Sequence, residues 1–92
     1  MEEVRCRLKR EEGKLVEIRL VYDEERCRVV HAVLEGEFFA DPGIEEEVAR
    51  LPGLDVREAL ERLRKAIHHY FVAPAEDVSE CIDSVAESIR CR

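Results

Sequence analysis

Three histidines, His31, His68 and His69, are the side chains of this 92-residue sequence that titrate nearest neutral pH, and Cys6, Cys27, Cys81 and Cys91 are its thiols. Successive helical residues project about 100° apart, so His68 and His69, in a stretch with helical periodicity, cannot readily face one metal or one substrate. A solvated position near a helix C-terminus, favoured by the local dipole, is the reading for that pair. His31 lies in an apolar run and is either a core histidine or an interface residue. The cysteines form no C-x-x-C pair, which removes the usual spacing of a structural zinc site. Cys6 and Cys27 fall on expected strands and can face each other as a disulfide; the alternative is buried free thiols acting as small hydrophobes. The acidic runs Asp23-Glu24-Glu25 and Glu45-Glu46-Glu47 lack the ligand pattern of a calcium loop and read as solvated surface. There is no Gly-rich phosphate loop, no G-x-S-x-G and no threonine at all. No residue set here can run a recognisable reaction by itself.

The elements that would position these groups follow from periodicity. Residues 4 to 9 alternate, with Val4, Cys6 and Leu8 on one side and Arg5, Arg7 and Lys9 on the other, a half-buried strand. Glu11-Glu12-Gly13 supplies a turn, and Val16, Ile18, Leu20 and Tyr22 then mark a second strand. A third run, Arg26 to Glu35, is largely apolar on both faces, which predicts a strand covered on two sides, either by its own helices and a neighbouring loop or by another protein. Asp41-Pro42 looks like a helix N-cap, Ile44, Val48 and Leu51 recur at helical spacing, and Pro52-Gly53 stops that helix. Asp55-x-x-Glu58 is a capping-box pattern opening a second helix, with Val56, Leu60, Leu63, Ile67 and Tyr70 inward, i,i+4 pairs Glu58–Arg62 and Glu61–Lys65 outward, and an end at Ala73-Pro74. A last helix turns Val78, Ile82, Val85 and Ile89 inward, with Glu76 and Asp77 at its start and Arg90 and Arg92 at its end. Strands followed by helices predict one α+β domain over 1–92: a three-stranded antiparallel meander with three helices packed on one face.

Composition narrows the partners. A net charge of −7 with bases and acids interleaved argues against nucleic-acid and membrane-surface roles, and no run approaches a membrane span. The acidic start Met1-Glu2-Glu3 is unlike a secretory signal, so the expected location is cytoplasmic. The sequence holds no Asn, Gln, Thr or Trp and has twelve Arg against three Lys, the profile of a heat-adapted source. In the cells of hyperthermophiles disulfides are tolerated.

The segment Gly36-Glu37-Phe38-Phe39 resists a bland account, because successive side chains of an extended chain point opposite ways. Either a turn lets both rings plug the gap between sheet and first helix, or one ring is displayed outward. Together with Gly13-Lys14-Leu15-Val16-Glu17, Leu51-Pro52-Gly53 and Tyr70-Phe71 between two helices, this segment resembles the C-terminal accessory domain of lipoate-protein ligases across nearly the whole chain. The family usually has Gly-Asp-Phe-Phe where this sequence has Gly-Glu-Phe-Phe.

That resemblance implies a stand-alone small subunit, of the kind encoded separately from the catalytic domain in some archaea. It implies a heterodimer with a large catalytic subunit that would hold lipoate, ATP and Mg, no cofactor on this chain, and a role in forming lipoyl-AMP before transfer to lysine of lipoyl-domain acceptors. The expected interface is the third strand and the segment after it: Val29, His31, Val33, Gly36, Glu37, Phe38 and Phe39. The rival expectation is an acidic module that homodimerises; a small-molecule pocket near Phe38 and Phe39 ranks last, for want of convergent polar groups.

Overall fold

In the computed structural model the chain opens with β1 (Glu2–Lys9), β2 (Leu15–Asp23) and β3 (Arg28–Gly36), hydrogen-bonded antiparallel in that order. Helices α1 (Gly43–Ala49), α2 (Val56–Tyr70) and α3 (Ala75–Ser88) follow, and the short strands β4 (Phe39–Ala40) and β5 (Phe71–Ala73) form a separate ladder. The expected α+β meander followed by three helices is the architecture found. The structure describes residues 1–9, 15–36, 39–40, 43–73 and 75–91, without the side chains of 8–9, 39–40, 70–73 and 75–78. The expected Glu11–Gly13 turn and Asp41-Pro42 cap lie outside the described residues, as do Arg92 and the side chains of Tyr70, Glu76, Asp77 and Val78.

Alternation in β2 decides which sheet face is the core. Val16, Ile18, Leu20 and Tyr22 are each no more than 2% exposed, while the residues between them are half-buried. The helices cover that face: α3 lies over β1 and β2, and α1 and α2 reach β3. Burying one such side chain contributes about 1.5–3 kcal/mol.

Within this chain the helices cover the third strand on one side, and its apolar look on both faces has a local cause. Tyr22 pairs with Val29 and Val21 with His31, so Val30 is an extra residue, a β-bulge. Before the bulge Val29 points into the core; after it the phase shifts, and Ala32 and Leu34 pack inward. Val30 is 40% exposed and His31 is exposed. Two half-strands in opposite phase look apolar on both faces when read as one strand. The strand also begins at Arg28, two residues later than the run suggests.

Pro52-Gly53 ends the first helical stretch as expected, with Ile44 and Leu51 buried. Gly53 adopts φ +91°, a region open to glycine, and its amide donates to the Val29 carbonyl at 2.8 Å. Asp55 Oδ1 then accepts from the amides of Arg57 (3.0 Å) and Glu58 (3.4 Å), capping α2. Val56, Ala59, Leu60, Leu63, Ala66 and Ile67 form the buried stripe of α2. On its outer side Glu61 pairs with Arg64 at i+3 (3.7 Å), one residue short of the expected Lys65. The helix ends at Tyr70, not at Ala73-Pro74, because residues 71–73 extend to pair with β4. Cys81, Ile82, Val85 and Ile89 face inward from α3 and the turn after it, and Arg90 Nη1 donates to the carbonyls of Glu87 (2.8 Å) and Ile89 (3.1 Å), closing the helix end.

The cysteines correct the sequence reading in both of its forms. Cys6 bonds Cys81 and Cys27 bonds Cys91, so neither a Cys6–Cys27 bridge nor free thiols occur among the described residues. Cys27 is the last residue of the turn before β3, not a strand residue, with φ +55°. The cross-links span 75 and 64 residues, and closing loops of that length in the unfolded chain is worth about 4 kcal/mol each in the chain-entropy model.

Candidate docking surface

The sheet face turned away from the helices is built from residues that alternate with the core positions. Cross-strand rows run Glu3, Val21, His31; then Arg5, Arg19, Val33; then Arg7, Glu17, Glu35. Val21, Arg19, Glu17 and Val33 are half-buried, and the outer positions of β1 and residues His31 and Glu35 are exposed. Arg5 and Arg19 stand directly opposite one another, and among the described residues no ion pair joins either to a carboxylate. Like charges placed directly opposite disfavour the pairing.

Among the described residues of the expected interface, Val29 lies apart from His31 and Val33. Val29 is 2% exposed and belongs to the core. His31 and Val33 sit on the outer face, beyond the bulge. Gly36 closes β3 opposite Val16 at φ +154°, where only glycine is at ease. Glu37 and Phe38 lie outside the described residues, so which ring of the Phe38-Phe39 pair faces outward is not part of the described structure; the backbone of Phe39 enters β4.

The two edges of the sheet differ. The first residues of β3 are clamped by the segment before α2: Val29 N donates to Leu54 O (2.9 Å), Val56 N to Cys27 O (2.9 Å), and Arg28 bridges Asp55. That clamp covers the edge only as far as Val29. From Val30 to Gly36 the described residues place no further strand alongside β3.

The β4–β5 ladder brings distant sequence together. Phe39 pairs with Ala73 and Ala40 with Phe71, so the backbone of Phe39-Ala40 lies beside the stretch that leads from α2 to α3. Periodicity could not find this contact, because strands of two and three residues have no period.

His68 is exposed, and His69 borders a shallow depression with Glu47, Arg50, Arg62, Lys65 and Ala66. A second depression of about 260 Å³ between α2 and α3 is lined by Arg57, Leu60, Glu61, Arg64, Ala86 and Ile89. Among the described residues no three His, Cys, Asp or Glu side chains are grouped to hold a metal ion, and no helix is long and apolar enough to cross a membrane. Among the described residues one face of the three-stranded sheet and the β3 edge beyond Val29 carry no further element. No protein-family model matches the chain, and no curated protein or solved structure matches it either.

Proposed function

We propose that the chain is the non-catalytic small subunit of a two-part lipoate-protein ligase, docking on a large catalytic subunit that holds lipoate, ATP and Mg. The observation that carries the proposal is the β4–β5 pairing. Phe39, the last residue of the Gly36–Phe39 segment, pairs with Ala73, and Ala40 pairs with Phe71 of the Tyr70-Phe71 segment, so the backbones at the ends of two segments on which the family resemblance rests meet although they are about thirty residues apart in sequence. A single surface made from both segments would be available to one partner. The docked subunit would hold an active-site loop closed over the mixed anhydride lipoyl-AMP, excluding water from it and strengthening the electrostatics around the transferring phosphoryl group. Acceptor lipoyl domains would then be served by the assembled enzyme. The reading places the chain in the cytoplasm of a heat-adapted archaeon, where disulfides persist inside cells.

The test mixes the purified chain with its cognate large subunit and follows lipoate-dependent ATP–pyrophosphate exchange. Exchange that requires both chains is expected; exchange unaffected by this chain sinks the proposal. Val33→Arg, on the outer face, should raise the amount of small subunit needed for half-maximal exchange if docking includes β3.

A second reading, self-association, draws on the 40% exposure of Val30 beside the uncovered stretch of the β3 edge. Size-exclusion chromatography of the chain alone separates the two: a tight homodimer with no affinity for a ligase catalytic subunit favours the second.

A further inference from the structure

The two disulfides sit in different surroundings. Cys81 is fully buried, and its partner Cys6 is half-buried on the inner side of β1 under α3. Cys91 is exposed in the tail beyond α3, and its partner Cys27 is half-buried in the turn before β3. Thiol–disulfide exchange requires a thiolate to reach one of the two sulfurs, so access governs which bond opens first.

We propose that Cys27–Cys91 is a redox-sensitive clasp: a dithiol reductant opens it while Cys6–Cys81 stays closed, and its opening frees residues 89–91 from the rim of the sheet. A thiolate of the dithiol attacks Sγ of Cys91, forming a mixed disulfide and expelling the Cys27 thiolate. The second thiol then attacks its neighbouring sulfur, expels the Cys91 thiolate and leaves as a cyclic disulfide. Two electrons pass from dithiol to cystine, and the two cysteine thiolates take up the protons released.

What moves follows from the remaining anchors. On the Cys27 side the carbonyl still accepts from Val56 N, so the turn remains fixed to the start of α2. On the Cys91 side, among the described residues, the Ile89 side chain and the bonds between the Arg90 backbone and the Tyr22 hydroxyl (2.9 Å from the amide) hold the tail to the sheet, while its other hydrogen bonds run back to the end of α3. The tail therefore yields while the turn does not, and the hydroxyl of Tyr22, a residue 1% exposed in the oxidised form, becomes accessible to solvent. Cys6–Cys81 keeps α3 on the sheet throughout.

The test treats the full chain with graded dithiothreitol, alkylates the thiols rapidly, and maps the adducts by peptide mass spectrometry. A range of reductant is expected in which Cys27 and Cys91 are alkylated and Cys6 and Cys81 are not, with the Arg90 amide exchanging about tenfold faster or more while strand amides stay protected. The double variant Cys27→Ser/Cys91→Ser should keep the circular dichroism of the parent and reproduce the fast Arg90 exchange without reductant. Alkylation of all four cysteines together, alkylation of Cys6 and Cys81 first, or an Arg90 amide that exchanges no faster once the clasp is open, would overturn the proposal.

Discussion

Tyr22 on β2 and Arg90 beyond α3 stand 68 residues apart, yet the Arg90 amide donates to the Tyr22 hydroxyl at 2.9 Å. The hydroxyl lies within 3.5 Å of the Arg90 carbonyl as well. A phenol at the end of an inward-facing strand row thus satisfies the backbone where the last helix stops. Tyr22→Phe removes the acceptor but keeps the ring, so the expected loss is about 1 kcal/mol, the net worth of one such hydrogen bond. Urea unfolding checks the magnitude; an unchanged midpoint would mean that water replaces the phenol at no cost.

The bulge makes a paired prediction. Val29→Ala empties a core position and should cost about 2 kcal/mol, whereas Val30→Ala, one residue along, should fall within about 0.5 kcal/mol of the parent. Thermal or denaturant unfolding of the two variants decides. Equal costs would place both valines in the core and contradict the phase shift.

How much of this was legible in the sequence depends on the element. β2 was readable because each inward residue is apolar and each neighbour tolerates partial exposure. The bulge was not, since Val29, Val30, Ala32, Val33 and Leu34 are all apolar and hide the change of phase. The Cys6–Cys81 bond left a usable signal: Cys6 alternates in phase with Val4 on its strand, and Cys81 falls four residues before Val85 in the inward stripe of the last helix. Two inward cysteines on facing elements should meet. Cys27–Cys91 left none, for both residues lie at the ends of elements. Of the expected interface residues, His31 and Val33 lie on the outer face, and Val29, at the same alternation in the sequence, lies across the bulge in the core.

Gly53 offers a test of conformation separated from packing. A Cβ built on it meets nothing within 4 Å, yet its φ is +91°. Gly53→Ala should therefore cost about 1–2 kcal/mol through the backbone alone. Chemical denaturation measures it, and a crystal structure of the variant should show an unchanged surface around residue 53. A cost near zero would show that the turn relaxes to negative φ.

Arg64 and Asp83 join α2 to α3 at 2.7 Å, with side chains 31% and 59% exposed. At that exposure solvent screens the pair, and a double-mutant cycle with Arg64→Ala and Asp83→Ala should return a coupling of about 0.5 kcal/mol that shrinks with added salt. A coupling of several kcal/mol, insensitive to salt, would refute this.

The order of the four cysteines along the chain has a topological effect. Bonds 6–81 and 27–91 interleave, so each bond has one end inside the loop that the other closes and one end outside it. Scission of any one peptide bond between Cys6 and Cys91 leaves both fragments tethered by at least one sulfur bridge. A singly nicked molecule would migrate as an intact chain until reduced, and its pieces would stay in place to continue serving whatever partner the open sheet face meets.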